Sequence, residues 1–319
     1  MRPHQWTKNG AVFVGIVFAQ KLGDTAVMLP VGLLFVAFCL VSSTVYLIND
    51  LRDREEDAQH PVKCKRPIAA GLLAVNTAWA AAGVLAISAL GLAWFIGRPE
   101  LPDDATLGFV HHLKYVPPGV VAVGVYLTLN LAYTGGLKKQ PIADITCVAL
   151  GFLIRVVSGP AVAGLFVSPW LFLCTFFGAL FLASAKRRGE LAAVEAGKTK
   201  GRSVLRLYPP RVLDILVGMA ATATLLTYSI YTVADQTVIK FHTTGLMYTV
   251  PIVFLGLGRY LILLYGRGEG EDPSTTLFKD RVLLLTILSW ILVSGMVIGF
   301  APDGPNVAVD AEIETGDGS

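Results

Sequence analysis

Charge is what this chain has little of. Asp, Glu, Lys and Arg make up 15% of its 319 residues, against about 25% in soluble domains. A pair of ordinary soluble domains, which the length alone would suggest, could not be covered with so few charges. Cysteine is scarce as well. Cys39, Cys64, Cys147 and Cys174 form no CxxC, and three of them lie in apolar stretches, which argues against a zinc site and against a disulfide framework. No small-residue cleavage site follows the polar opening Met1–Gly10, so no cleavable signal peptide is expected. There is no solenoid period and no low-complexity tract. The formal net charge of +3 gives no reason to expect a nucleic-acid partner.

What is abundant is apolar. Hydrophobic residues make up 54% of the chain, and the mean hydropathy is +0.62. The expected fold class is an all-α, polytopic integral membrane protein. A crossing helix needs about 20 apolar residues, and nine stretches qualify as candidates: Gly10–Gln20, Val27–Ile48, Ala74–Ile96, Val116–Tyr133, Ile142–Leu165, Pro169–Ser184, Val212–Thr232, Met247–Tyr265 and Val282–Phe300. Gly10–Gln20 is short enough to be tilted or half-inserted. Residues 1–301 read as one transmembrane domain, and 302–319 as an acidic, disordered tail.

The charges then orient the spans. With the N-terminus inside, 20 of the 26 basic residues fall on the cytoplasmic side, and only Lys21, Arg98, Lys114 and Lys240 on the other. Arg155 and Arg259 lie within spans. This asymmetry follows the positive-inside rule. The tail has five acidic residues and no Lys or Arg, which suits an external C-terminus.

Several clusters exceed what topology requires. The second span runs into Asn49-Asp50-Leu51-Arg52-Asp53-Arg54-Glu55-Glu56-Asp57. On a continuous helix Asn49, Asp50, Asp53 and Asp57 fall within an arc of roughly 100°. Such a set suits Mg²⁺, which takes one or two carboxylates and completes its shell with substrate phosphates; the alternative is a solvated acidic helix end. The basic loop around Lys63, Lys65 and Arg66 follows, a phosphate-binding surface if a metal sits beside it. Between the fourth and fifth spans lies Tyr133-Thr134-Gly135-Gly136-Leu137-Lys138-Lys139-Gln140-Pro141-Ile142-Ala143-Asp144. Pro141 suits the first turn of the fifth helix, placing Asp144 in that turn. Asp144, Gly151, Arg155 and Ser158 share one face, read as a cavity wall. An Arg inside a membrane is costly and faces a polar cavity or a partner; the alternative is a structural Arg–carboxylate pair. Arg259 is read in the same way. Lys186, Arg187 and Arg188 follow the sixth span, and Gln5, Trp6 and Lys8 precede the first. These clusters converge at helix ends on one side, as a mouth for an anionic, water-soluble reactant and a lipid.

The pattern Asn49-Asp50-x-x-Asp53-x-x-x-Asp57 resembles the first aspartate-rich motif of the UbiA-type membrane prenyltransferase superfamily. A second DxxxD is replaced by Tyr133-x-x-x-Leu137-Lys138-x-x-x-x-x-Asp144, which resembles the decaprenyl-phosphate phosphoribosyltransferase branch. Arg2-Pro3-x-Gln5-Trp6-x-Lys8-Asn9, His60-Pro61-x-Lys63-x-x-Arg66-Pro67, Gly151-Phe152-x-x-Arg155 and Lys186-Arg187 are similar to that branch; Cys64 and Lys65 depart from it. The resemblance implies nine helices around a lateral cavity, in the plasma membrane. It implies transfer of 5-phosphoribosyl from phosphoribosyl pyrophosphate (PRPP) to a polyprenyl phosphate, in making cell-wall arabinan precursors. On that reading Asp50, Asp53 and Asp57 are catalytic and, with Asn49, hold Mg²⁺. Lys63, Arg66, Lys138 and Lys186 bind phosphates, Tyr133 and Asp144 position the sugar, and Gln5, Lys8, Arg155 and Arg187 complete the substrate contacts. A homo-oligomer is compatible with it. Two alternatives remain: prenyl transfer to an aromatic or other acceptor, which the missing second DxxxD disfavours, and a lipid carrier, which would place polar groups nearer the midplane.

Overall fold

The computed structural model describes residues 3–59, 63–97, 116–197, 201–267, 276 and 279–301. The expected tail, together with His60, Pro61, Arg98 and Lys114, lies outside them. Among the described residues every regular element is helical. A lead segment in 3₁₀ conformation, Pro3–Phe13, runs into α1 (Val14–Phe18). Then come α2 (Thr25–Arg52), α3 (Arg54–Ala58), α4 (Val75–Phe95), α5 (Pro118–Gly135), α6 (Ala143–Val162), α7 (Pro169–Glu195) and α8 (Pro210–Val233). A short α9 (Asp235–Phe241), α10 (Val250–Ile262) and α11 (Arg281–Gly299) complete the bundle. Short 3₁₀ turns stand at Lys63–Lys65, Leu137–Lys139, Ser203–Leu207 and Gly245–Thr249.

Seven helices are long and apolar enough to cross a membrane among the described residues, against nine expected stretches. The other two differ in kind. The helix α5 carries Tyr126, Thr128 and Asn130 along its length. The lead segment is short in residues but stretched: with about 2.0 Å of rise per 3₁₀ residue, it and α1 together reach about 30 Å, a hydrocarbon thickness. Two expected ends also move. The sixth span was expected to stop at Ser184, but α7 continues to Glu195. Lys186, Arg187 and Arg188 are therefore helical, in a stretch of strong helix formers that ends before Gly197 at φ +69°. Pro141 lies just outside α6, which begins at Ala143 and has Asp144 in its first turn.

The interior helices are α2 and α6, while α11 is largely on the outside. Around α2 and α6 packs one apolar core that includes Val12, Ile16, Val31, Leu34, Phe38, Val123 and Val162. The lead segment and α1 lie against α6 at two glycines. A Cβ on Gly159 would collide with the carbonyl oxygen of Val12, and one on Gly15 with the Pro160 ring. Small residues allow such close approach within a membrane.

Arg155 ties these elements together. It is 7% exposed. Its Nε donates to Asn9 Oδ1 (2.8 Å), Nη1 to the Gly151 carbonyl (2.7 Å) and Nη2 to the Tyr126 hydroxyl (2.6 Å). The guanidinium also stacks 4.4 Å from the Tyr126 ring centre, with Phe38 and Phe152 farther out. Ser42 and Cys39 complete the polar cluster through Asn9. Neutral oxygens and aromatic faces thus satisfy this intramembrane cation. Among the described residues no carboxylate pairs with it. The stripe of Asp144, Gly151, Arg155 and Ser158 is a packed helix interface at these positions rather than an open wall. Arg259 takes the other course, donating to both Asp280 oxygens at 3.1 and 2.6 Å. Asp280 also caps α11 through the Leu283 N–H.

The Gly159 contact carries a prediction. Gly159→Ala improves helix propensity yet drives a methyl into backbone, and such overpacking costs about 1–3 kcal/mol. The thermal midpoint of detergent-solubilised protein should fall. Gly91→Ala, where the new methyl meets nothing within 4 Å, should leave it level or slightly raised.

Candidate active site

The aspartate-rich segment forms the first wall of the mouth. At Asp53 (φ −92°, ψ 8°) α2 ends and α3 begins. The helical bonding nonetheless carries through the kink: the Asp53 N–H bonds the Asn49 carbonyl (2.9 Å) and the Asp57 N–H bonds the Asp53 carbonyl (2.8 Å). Asn49, Asp50, Asp53 and Asp57 therefore stay at one corner, although the helix is not continuous as expected. Glu55, Glu56 and Asp57 in the first turn of α3 suit its dipole.

Each carboxylate meets a cation from the next wall. Arg66 Nη1 stands between Asp50 Oδ1 (3.0 Å) and Asp57 Oδ2 (2.5 Å). Lys63 approaches Asp57 at 3.8 Å. A tight turn fixes Arg66: the Pro67 carbonyl accepts from the N–H of Leu72 (2.8 Å) and of Leu73 (3.1 Å), and Gly71 takes φ +72°. Asp57 is almost fully buried, whereas Asp53 keeps about a third of its side chain exposed. Lys138, on the turn after α5, reaches Asp53 with bonds of 2.7 and 3.0 Å to its two oxygens. Thr134 donates to Asn49 beside it. Residues 85 positions apart in the sequence thus meet at this corner.

The donor set has the right chemistry for a hard divalent cation. Among the described residues no three acidic, His or Cys side chains converge tightly enough to hold an ion alone. Two carboxylates, Asp50 and Asp57, do converge on a single cationic nitrogen, and two carboxylates with substrate phosphates are a usual Mg²⁺ complement. Sharing of one ion by Asn49, Asp50, Asp53 and Asp57, as expected, would require each to exchange its present partner: Thr134 for Asn49, Arg66 for Asp50 and Asp57, and Lys138 for Asp53.

Behind Lys138 stands a brace the sequence did not reveal. Asp144 is fully buried. Its Oδ2 accepts from Arg187 Nε (2.5 Å) and its Oδ1 from the Tyr208 hydroxyl (2.6 Å). Arg187 also pairs with Glu190 at 3.0 Å. Arg202 lies 3.5 Å from Glu190 and donates to the Tyr133 hydroxyl at 3.5 Å. Burial, and then Asp144, push the Tyr208 phenol well above its ordinary pKa, so it stays protonated and donating.

Three expected substrate contacts are enclosed in this arrangement. Asp144 has no exposed surface, and both its oxygens are used within the protein. Arg187 is buried against Asp144 and Glu190. Arg155 sits about 16 Å along α6 from Asp144, enclosed by its own partners. Gln5 and Lys8 flank Trp6, whose indole donates to Ser43 (3.3 Å); that is about 15 Å along α2 from Asp53, deeper than the aspartate corner. Tyr133 is half-buried near the mouth. Lys186 is also half-buried, and among the described residues it forms no ion pair or hydrogen bond. Tyr208, Thr134, Asn9 and the Arg202–Glu190 pair are the residues sequence reasoning missed. Thr134 and Asn9 lay within motifs but carried no assigned role. For Tyr208 no local signal exists, since its partners are 64 and 66 residues away.

The brace and the corner should respond differently to truncation. Asp144→Ala leaves a buried guanidinium without its main partner and should cost about 3–5 kcal/mol. Asp53→Ala at the partly exposed corner should cost about 0–1 kcal/mol. Denaturant midpoints of the two variants in detergent check the ranking.

The fold agrees with comparison to known proteins. The UbiA prenyltransferase family profile matches residues 10–101. The chain is 35% identical over 316 residues to the decaprenyl-phosphate phosphoribosyltransferase of Mycolicibacterium smegmatis, covering 94% of this chain and 92% of that protein. It is 33% identical over 310 residues to the decaprenyl-phosphate phosphoribosyltransferase of Corynebacterium glutamicum, covering 95% and 86%. Its fold is similar to that of a UbiA homolog from Archaeoglobus fulgidus bound to DMAPP and Mg²⁺, with a TM-score of 0.65, 16% identity, and coverage of 94% of this chain and 97% of that one. With identity above 30% along nearly its whole length, and with the helical bundle of that fold, the chain belongs to the UbiA family, among its decaprenyl-phosphate phosphoribosyltransferase relatives.

Proposed function

We propose that this protein transfers 5-phosphoribosyl from PRPP to a polyprenyl phosphate, decaprenyl phosphate by analogy with its relatives, and releases pyrophosphate. One observation carries the reading: Arg66 with Asp50 and Asp57, and Lys138 with Asp53, converge at one end of an apolar bundle. Carboxylates and cations in one corner suit a polyanion that brings a divalent metal. The relatives' name supplies the donor and acceptor. The excess of basic residues assigned to that side supports a cytoplasmic mouth by the positive-inside rule.

The steps follow from charge. Asp50, Asp53 and Asp57, with Asn49, would hold Mg²⁺ beside the pyrophosphate. When bound, the metal neutralises charge on the leaving pyrophosphate. Lys138, Arg66, Lys63 and Lys186 take the remaining phosphate oxygens. Tyr133, held by Arg202, faces the sugar. The bond from ribose C1 to the pyrophosphate oxygen breaks with its electron pair leaving on pyrophosphate. An oxygen of the lipid phosphate forms the new bond to C1. That phosphate, with a second pKa near ~6, is already ionised at pH 7, so no strong general base is needed. The lipid chain enters from the bilayer between apolar helix faces. This chemistry supplies a precursor for cell-wall arabinan.

Purified protein in detergent should release pyrophosphate from PRPP only when polyprenyl phosphate and Mg²⁺ are present, and a chelator should stop it. Asp53→Ala should lower kcat/KM at least about 100-fold. Lys138→Ala should raise the KM for PRPP about 10- to 100-fold, as expected for loss of a charge-assisted bond. Activity with a prenyl diphosphate and none with PRPP would instead establish prenyl transfer. Movement of lipid in proteoliposomes without chemical change would establish a carrier.

A further inference from the structure

The Lys138 turn is held in an unusual way. Ile142, four residues after Lys138, has φ +68°. A β-branched side chain strongly disfavours that region, and such strain persists only where surrounding structure enforces it. Two restraints meet there. The Ile142 N–H donates to the Tyr208 hydroxyl (2.5 Å), and that hydroxyl donates to Asp144 (2.6 Å), the second residue of α6. One phenol thereby fixes both the end of the turn and the start of the helix that follows it.

The phenol is itself rigidly placed. Tyr208 is 4% exposed and packs with Val204, Leu205, Leu191 and Leu213. It lies on the connection between α7 and α8, as does Arg202, which reaches Tyr133 at the other side of the same turn. The connection therefore grips the Tyr133–Asp144 stretch at both ends, with Lys138 between them. Lys138 meets Asp53 at 2.7 Å from its position on that stretch.

We propose that Tyr208 is a positioning residue for the phosphate contact of Lys138, acting through the Ile142 backbone and Asp144 without touching substrate. The inference rests on the phosphoribosyl-transfer reading for the identity of the donor, but not for the existence of the pyrophosphate-binding corner. Tyr208→Phe keeps the ring and its packing and removes only the hydroxyl. The turn then loses both restraints, Ile142 relaxes, and Lys138 samples positions away from the phosphate. A residue that merely stabilises the fold would lower the amount of folded protein without singling out the donor.

The test is a double-mutant cycle with Lys138→Ala. Binding of Mg–PRPP and of Mg–pyrophosphate is titrated calorimetrically and normalised to folded protein, and KM for the lipid acceptor is measured alongside. Tyr208→Phe should weaken both ligands about 10-fold in the parent, yet less than about 2-fold when Lys138 is already Ala. The acceptor KM should stay unchanged. Equal losses in both backgrounds, or no loss in the parent, would overturn the positioning role. If the parent binds pyrophosphate but not PRPP, the donor assignment is wrong, and the pyrophosphate arm alone still decides the role of Tyr208. If it binds neither, both ideas fail.

Discussion

Ion pairing at the end of an apolar bundle is the constraint on which this structure depends. A lone carboxylate or guanidinium at the edge of a bilayer is costly, and the cost falls only when an opposite charge or an ordered set of hydrogen-bonding groups meets it. Three solutions appear side by side. Asp144 and Arg187 are matched and buried, and they set how α6, α7 and the α7–α8 connection fit together. Arg155 has neutral oxygens and aromatic rings, and it fastens the lead segment to α5 and α6. Asp50, Asp53 and Asp57 meet Arg66 and Lys138 where the corner keeps part of its surface open. The first two arrangements hold the scaffold. The third keeps part of its surface open, and on the proposed function it exchanges partners with the incoming phosphate and metal.

The scaffold explains why a strained turn is worth keeping. Lys138 extends from a short 3₁₀ turn between two membrane helices, a poor platform for a phosphate contact if left loose. The Asp144 brace and the Tyr208 hydroxyl stiffen that turn from behind, while Thr134 joins it to Asn49 in front. The mouth is thus built from α2, the α3–α4 connection and the α5–α6 turn, with the α7–α8 connection as backing. The apolar faces below it suit a reactant whose other end is lipid.

Much of this was legible in the sequence, and the reasons for the rest are specific. Scarcity made each charge informative, so the aspartate run at Asn49–Asp57, the Lys63–Arg66 loop and Lys138 could be gathered at one end from topology and spacing alone. Hydropathy found the long helices but misjudged where α7 stops, since Lys186 to Glu195 is polar yet strongly helix-forming. It could not show that the lead segment gains its depth by stretching into 3₁₀ geometry. The partners of Asp144, Arg155 and Arg187 could not be read, because spacing along one helix says which residues share a face but not what that face meets. Tyr208 was invisible for the same reason: an ordinary tyrosine in a connection becomes important only through partners 64 and 66 residues away.

The most direct measurement follows two labels on one donor. PRPP carrying one isotope in the ribose and another in the β-phosphate is incubated with the protein, Mg²⁺ and polyprenyl phosphate, and lipid is extracted. The ribose label should move into the organic phase while the β-phosphate label stays in water as pyrophosphate. Both labels remaining in the aqueous phase on intact PRPP, with prenyl groups transferred from a prenyl diphosphate under the same conditions, would contradict it.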